Sequence, residues 1–389
     1  MTRGTDHGRP RLLLVGIVVA ALLAVSAPGV AAASDGAYIV VLKDSTAGSV
    51  RAAKEHGKRH GVSVTQAYGH ALRGYSARLD ASQLRALRAD RSVSMVVPDG
   101  VATIGETQTG ATWGLDRIDQ AKLPLSGTFT YTNTGAGVTA YVIDTGIRVS
   151  HSEFGGRARS GWDFVDDDAV ANDCNGHGTH VAGTIGGATY GVAKGVELVA
   201  VRVLDCGGSG LWSEIIAGID FVTAEHDAGE PSVANMSLGG GANMAVDLAV
   251  RNSIADGVAY AVAAGNSNAP ACQFSPARVP EAMTSGASTI TDAKASFSNW
   301  GSCMDWFAPG QSIKSAWSTG DSATNTISGT SMASPHTAGV AALYLQSHAT
   351  ATPATVQKSL ASAATARRIT GIDRRFYPGT ANLLLFTNH

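Results

Sequence analysis

Four segments of the chain place side chains suited to acyl transfer beside apolar or glycine-rich neighbours. Asp144 follows the apolar run Ala140-Tyr141-Val142-Ile143 and precedes Thr145-Gly146, so a strand edge would hold its carboxylate partly desolvated yet hydrogen-bonded. His177 and His180 lie in Asn175-Gly176-His177-Gly178-Thr179-His180, at the mouth of a helix of small residues. A zinc-protease helix carries His-Glu-x-x-His; here the histidines are three apart and the Glu is missing. One imidazole therefore reads as a base, and His180 as a packing or hydrogen-bonding group. Ser331, in Gly329-Thr330-Ser331-Met332-Ala333-Ser334-Pro335, stands at a helix start, where free backbone N–H groups favour developing negative charge. Asn266 closes Ala263-Ala264-Gly265-Asn266 after an apolar run, and its amide could share an oxyanion with the Ser331 N–H. Singly, Asp144 and Asn266 serve as well for turns and Ser331 for a helix cap. Jointly they supply a nucleophile, a base, an acid that orients the base, and an oxyanion donor. The context of Ser331 is not Gly-x-Ser-x-Gly, so the α/β-hydrolase elbow does not apply.

Elements of alternating type must hold these residues. Val138 to Ile143, Glu197 to Val203, Val233 to Ser237 and Val258 to Ala263 read as strands. Thr179 to Gly186, Leu211 to His226, Met244 to Asp256 and Ser334 to Gln346 read as helices. Strands apolar on both faces and separated by helices predict a parallel sheet covered on both sides, an α/β domain over 106–389. Ligands of such sheets bind at the strand carboxyl ends, which is where the polar residues above fall. Composition agrees: 44% of the 389 residues are hydrophobic and 15% charged, against about 25% charged in an ordinary soluble domain, so a large core is available. The sequence carries no basic patch for nucleic acid and no Rossmann or Walker fingerprint.

The N-terminal third reads differently. Arg3, Arg9 and Arg11 precede an uncharged apolar run, Leu12 to Val25, and Ala31-Ala32-Ala33 offers a cleavage site, so residues 1–33 are an expected export signal. That run is too short for a bilayer, which takes about 20 apolar residues, and no membrane anchor is expected. Residues 34–105 hold 10 basic and 6 acidic side chains, net +4, whereas 106–389 hold 16 and 24, net −8. Within the basic segment the order strand (Ala37 to Lys43), helix (Ser49 to His60), strands (Val62 to Tyr68, Gly74 to Leu79), helix (Ser82 to Ala89) and strand (Val93 to Pro98) predicts a ferredoxin-like α+β unit.

The order Asp144, His177, Asn266, Ser331 is the subtilisin order. With VIDTGI at Val142 to Ile147, NGHGTHVAGT at Asn175 to Thr184, SLGGG at Ser237 to Gly241, AAGN at Ala263 to Asn266 and SGTSMASPH at Ser328 to His336, the sequence resembles the subtilisin-like serine proteases. Within them it is most similar to the proteinase K branch and its aqualysin-type relatives, over essentially the whole exported chain. The resemblance implies a three-layer parallel-sheet enzyme, secreted and monomeric, that cuts proteins and peptides. It also implies that residues 34–105 are a cleavable chaperone and inhibitor. Gly208, Ser209, Gly210, Ser237, Leu238, Gly239 and Gly240 would pair with an extended substrate backbone, which side-chain-poor residues permit. Ala263, Ala264 and Gly265 would line the pocket for the residue before the cut, and since no acid stands there an apolar or aromatic residue is expected. The sequon at Asn235 falls on an expected buried strand and is not expected to be glycosylated.

The four cysteines allow three pairings; the resemblance implies Cys174 with Cys206 and Cys272 with Cys303. It implies calcium at Pro280, Ala282 and Asp305, and at a second set, Asp116, Asp119, Gln120, Ser126 and Thr128, all offering the oxygen ligands calcium takes. The acidic run Asp166-Asp167-Asp168 reads as a solvated loop. Two rival readings are a catalytically silent binding protein on the same fold and an esterase or lipase. The retained four residues weigh against the first, and the missing elbow and apolar lid against the second.

Overall fold

The computed structural model describes residues 36–43, 45–46, 48–99 and 105–388. The expected export signal and the stretch 100–104 lie outside them. The chain divides into two units, Met1–Ala102 and Thr103–His389.

In the first unit, β1 (Gly36–Leu42), α1 (Ser49–His60), β2 (Ser63–Tyr68), β3 (Gly74–Leu79), α2 (Ala81–Ala89) and β4 (Val93–Pro98) follow one another. The strands form an antiparallel sheet in the order β2-β3-β1-β4, the ferredoxin-like arrangement. Local chemistry sets the helix ends: Asp80 accepts from the Ser82 and Gln83 N–H groups while Gln83 returns to the Asp80 N–H, and Gly61 closes α1 in the left-handed region. Val40, Tyr75, Leu79 and Leu87 fill the core between helices and sheet.

The second unit opens with β5 (Glu106–Thr109), α3 (Trp113–Ile118) and β6 (Thr128–Tyr131), then β7 (Thr139–Asp144), β8 (Ala158–Asp163), α4 (His177–Gly186), β9 (Glu197–Arg202) and α5 (Trp212–Glu225). It continues with β10 (Ser232–Met236), β11 (Gly240–Gly241), α6 (Met244–Asp256), β12 (Ala259–Ala263), β13 (Phe274–Ser275), β14 (Met283–Ser288) and β15 (Trp306–Pro309). β16 (Ile313–Ala316), β17 (Thr324–Ile327), α7 (Thr330–Ser347), α8 (Pro353–Ala363), β18 (Thr365–Ala366) and β19 (Leu383–Leu384) complete it. Among the described residues the main sheet has the order β18-β19-β15-β14-β12-β10-β7-β9-β8, parallel except for the terminal β18–β19 pair. From β7 the chain moves outward to β8 and β9, then crosses to β10 on the other side. That reversal opens a crevice at the carboxyl ends of β7 and β10.

Helices cover both faces. Val181, Ala182 and Ile185 of α4 and Val340, Ala341 and Leu343 of α7 pack on one. Ile215, Ile219 and Val222 of α5 and Val246 and Val250 of α6 pack on the other. Three boundaries differ from the sequence reading in ways that matter to the site. α4 begins at His177 rather than Thr179, so His177 is its first residue. β7 runs one residue further, so Asp144 is its last member. α7 begins at Thr330 rather than Ser334, which puts Ser331 in its first turn.

Candidate active site

Asp144 and His177 are held by one strand end and one helix start. Asp144 is fully buried; its Oδ1 accepts from His177 Nδ1 at 2.7 Å and from the Thr145 N–H at 2.7 Å. Its Oδ2 is buried without a hydrogen-bond partner among the described residues. The carboxylate thus fixes the tautomer, with the proton on Nδ1 and the Nε2 lone pair facing the cleft. Two glycines around His177 are required by contact. Gly176 has φ +114°, and a Cβ there would lie 2.3 Å from the Trp317 ring; a Cβ on Gly178 would lie 2.1 Å from the Gly146 carbonyl.

A residue absent from the sequence reading ties these pieces together. Asp173, nearly buried, accepts from Thr145 Oγ1 (2.9 Å), Asn175 N (2.9 Å) and Gly176 N (2.8 Å) on Oδ1, and from Thr179 N (2.8 Å) and Thr179 Oγ1 (2.6 Å) on Oδ2. Thr145 Oγ1 in turn accepts from the Gly178 N–H at 2.9 Å. One carboxylate therefore bonds both the turn after Asp144 and the loop leading into His177. Burial pulls the His177 imidazole down, but the charge and hydrogen bond of Asp144, with the Asp173 charge behind them, outweigh it and leave it above the ordinary 6.5. His180 differs: burial pushes it down to about 3, and its Nε2–H donates to Ile313 O at 3.0 Å while the ring edge meets Trp317.

Ser331 is partly exposed in the first turn of α7, and its hydroxyl donates to Ser237 O at 3.0 Å. Among the described residues it makes no hydrogen bond with His177. Pro335 explains the local backbone: lacking an N–H, it leaves the Ser331 carbonyl without its helical donor, and Ser237 Oγ supplies one at 2.8 Å. Buried Asn235 braces the same helix, donating to Ser237 Oγ (2.9 Å) and accepting from Ser334 Oγ (2.7 Å). Asn266 Oδ1 accepts from Thr330 N (2.8 Å) and Thr330 Oγ1 (2.9 Å), which turns its NH2 toward the cleft. A Cβ built on Gly329 would stand 3.5 Å from both Asn266 Nδ2 and Ser331 N, so two donors border one small space.

That space opens into a cleft of about 710 Å³. His177, Asn266 and Ser331 line it together with Gly208, Ser209, Gly210, Ser237, Leu238, Gly239, Gly240, Ala263, Ala264 and Gly265, while Asp144 lies behind His177. Leu204, Trp212, Ile215, Phe274 and Ala277 add apolar wall that the motifs did not announce, and no Asp or Glu is among the lining residues.

Comparison with known proteins fits this geometry. Residues 135–379 match the subtilase family model, and residues 37–104 match that of peptidase inhibitor I9. The chain belongs to the subtilase family. It is 56% identical over 327 residues to an extracellular serine proteinase of Thermus sp. (strain Rt41A), covering 84% of this subtilase and 78% of the relative. It is 53% identical over 334 residues to alkaline serine exoprotease A of Vibrio alginolyticus, covering 84% and 61% respectively. The crystal structure of a cold adapted subtilisin-like serine proteinase superposes with a TM-score of 0.69 at 56% identity, covering 72% of this chain and all of that one.

In this subtilase, disulfides join Cys174 to Cys206 and Cys272 to Cys303. Asp166, Asp167 and Asp168 are exposed, as the solvated-loop reading expects, and Arg202 Nη1 bonds both Asp166 (2.6 Å) and buried Asp163 (2.5 Å). Among the described residues no three His, Cys, Asp or Glu side chains gather as a metal cluster. The two expected calcium sets nevertheless differ in fit. At the second, Asp116 is taken up by Ser126 N and Oγ (3.0 Å each) and Gly127 N (2.6 Å), and Gln120 Nε2 donates to Lys122 O and Pro124 O (2.8 Å each). Ser126 and Thr128 bond each other at 2.7 Å. Asp119 Oδ1 is buried and has no hydrogen-bond partner among the described residues, and burial, with Asp116 nearby, lifts that carboxyl to about 6, so a cation would relieve it. At the first, Pro280 O, Ala282 O and Asp305 Oδ1 all accept from one side-chain nitrogen, Gln357 Nε2, which brings three oxygens around one point, while Asp305 Oδ2 accepts from Thr284 N at 2.7 Å.

Proposed function

We propose that this subtilase hydrolyses peptide bonds through an acyl-enzyme on Ser331, with His177 as general base and acid, Asp144 as the carboxylate that orients it, and Asn266 with the Ser331 N–H as oxyanion donors. The observation that carries the reading is the 2.7 Å bond from His177 Nδ1 to buried Asp144, set in the same cleft as Ser331 and Asn266. With its proton held on Nδ1, His177 offers Nε2 to the Ser331 hydroxyl once that group turns from Ser237 O. Ser331 Oγ then attacks the acyl carbon, the two donors beside Gly329 receive the oxyanion, and the imidazolium returns its proton to the leaving amine. Water repeats the sequence on the acyl-enzyme.

The cleft supports a substrate lying extended along Ser209-Gly210 and Ser237–Gly240, with an apolar or aromatic residue before the cut, since alanines and glycine line that wall and no acid does. The leader at residues 1–33 supports secretion, and among the described residues no helix is long and apolar enough to cross a membrane. The inhibitor match supports residues 34–105 as a removable propeptide. Calcium, when bound at either expected set, supplies a hard positive charge for clustered oxygens, and because it binds the native state alone it raises stability.

A serine-directed fluorophosphonate tests the chemistry: it should label Ser331 in the mature enzyme and nothing in Ser331→Ala. A protein that binds peptides but takes no label would be the silent binding module instead. Asn266→Leu should lower kcat by about 100 to 1,000-fold with KM nearly unchanged, a magnitude carried over from subtilisin itself rather than derived from this cleft. A change confined to KM would remove Asn266 from the oxyanion role.

A further inference from the structure

The three oxygens expected to hold calcium beside Asp305 all meet one atom of a residue that no motif singled out. Gln357, half-buried on α8, places Nε2 3.0 Å from Asp305 Oδ1, 3.1 Å from Pro280 O and 3.3 Å from Ala282 O. A primary amide has two N–H bonds, so three acceptors cannot each receive a straight one. The spacing suits something else as well. Oxygens bound to one calcium ion at 2.3–2.6 Å, at the angles of roughly 75° to 90° that pentagonal-bipyramidal coordination gives, stand about 2.8 to 3.7 Å from one another. The end of Gln357 thus lies at ligand-to-ligand distance from all three oxygens. Half a turn about its last side-chain bond exchanges Nε2 for Oε1 at the same place. Facing three oxygens alone, the donor orientation is favourable; with a cation among them, the carbonyl orientation is.

We propose that Gln357 is a two-state member of this site, donating to the three oxygens when metal is absent and turning its amide to become a fourth protein ligand through Oε1 when calcium binds. The proposal rests on the calcium reading of Pro280, Ala282 and Asp305 given above. It ties the site to α8, which is seated in the core by Val356 and Leu360 and reaches α7 through the Ser359 hydroxyl, 3.1 Å from Tyr344 Oη. Both states hold α8 in place, so the helix need not detach on metal loss, but its protection should depend on which partner is present.

The test uses fluorophosphonate-inactivated mature enzyme, stripped with chelator and titrated with calcium chloride by calorimetry. The calcium isotherm that Asp305→Asn abolishes identifies the site. Gln357→Ala should weaken that isotherm by at least roughly tenfold, the range in which loss of a supporting group at a metal site falls. Gln357→Glu keeps an oxygen but loses the donor, so it should bind calcium more tightly than wild type while melting at a lower temperature in chelator. Hydrogen exchange in α8 should slow with calcium in wild type and respond less in Gln357→Ala. If Gln357→Ala binds with unchanged affinity and α8 exchange responds as in wild type, the fourth-ligand role is wrong although the calcium site stands. If wild type shows no isotherm that Asp305→Asn removes, the calcium reading itself falls and the proposal with it.

Discussion

At the scale of single residues, Asp173 does work that the triad motifs leave unassigned. All five of its partners are donors, and four of them lie within two residues of His177, so its charge and its shape both bear on that imidazole. The proposed mechanism needs neutral His177. Because the net shift is upward from 6.5, activity should be complete well above neutrality and fall as pH drops through a midpoint higher than 6.5. Asp173→Asn removes one of the charges that favour the imidazolium, so the acid limb of the kcat/KM profile should move to lower pH. The same change turns an NH2 toward donors, either at Thr179 or at the loop before His177, so kcat should also drop, by more than tenfold if the loss is of the order of one hydrogen bond to a charged group, about 1.5–3 kcal/mol. Thr179→Val is the milder control, removing a single donor to Asp173 and leaving its charge. A lower kcat with an unmoved acid limb in Asp173→Asn would reduce Asp173 to a structural brace.

At the scale of elements, the loop carrying the base is held by a covalent tie as well as by Asp173. Cys174–Cys206 joins the residues before α4 to those after β9, across a sequence separation of 32, and Asn175 Nδ2 donates to Cys206 O at 2.9 Å beside it. Closing a loop of that length is worth about 3 to 4 kcal/mol in the chain-entropy account. Cys174→Ser with Cys206→Ser should therefore lower unfolding stability by that order, read from chemical denaturation of inactivated enzyme; a loss under about 1 kcal/mol would show that the hydrogen bonds to Asp173 hold the loop without the disulfide. The short motifs around Asp144, His177, Asn266 and Ser331 were legible because each lies within a few residues of its own strand end or helix start. The ferredoxin-like order was legible because period-2 and helical patterns alternate cleanly there. β14, with the sequence MTSGAS, was not: it is wholly buried, yet its small and hydroxyl-bearing residues carry no apolar signal. β15 ends on Pro309 and is only four residues long, too short for a pattern. Asp173 looks like an ordinary turn acid, and Gln357 finds its acceptors 52 to 77 residues away, a separation that local spacing does not encode.

At the scale of the whole molecule, the chain joins an inhibitor-type unit to an enzyme that could digest it. The two carry opposite charge, net +4 over 34–105 and net −8 over 106–389, which favours encounter and makes it salt-sensitive, while affinity must come from fitted contacts. The enzyme unit pairs strands far apart in sequence, such as β7 with β10 and β15 with β19, and non-local pairing of that kind folds slowly. The inhibitor unit has a core of its own and pairs β2 with β3 as a hairpin; its longest-range pairing, β1 with β4, still closes a shorter stretch than β7 with β10, so it is the faster folder on the same grounds. Opposite charge and unequal folding speed both fit the removable-propeptide reading proposed above, in which the cut that releases it depends on Ser331. Ser331→Ala should accordingly accumulate as an unprocessed precursor starting near Ser34, and wild type as a chain starting between about Glu106 and Ala111, as N-terminal sequencing and intact mass would show. Segment 34–105 made separately should inhibit the mature enzyme, less so at high salt, and raise its refolding yield. Cutting of Ser331→Ala at the same bond, with no other protease present, would show that maturation does not depend on this serine, and an added segment without either effect would leave the inhibitor unit as a passive leader.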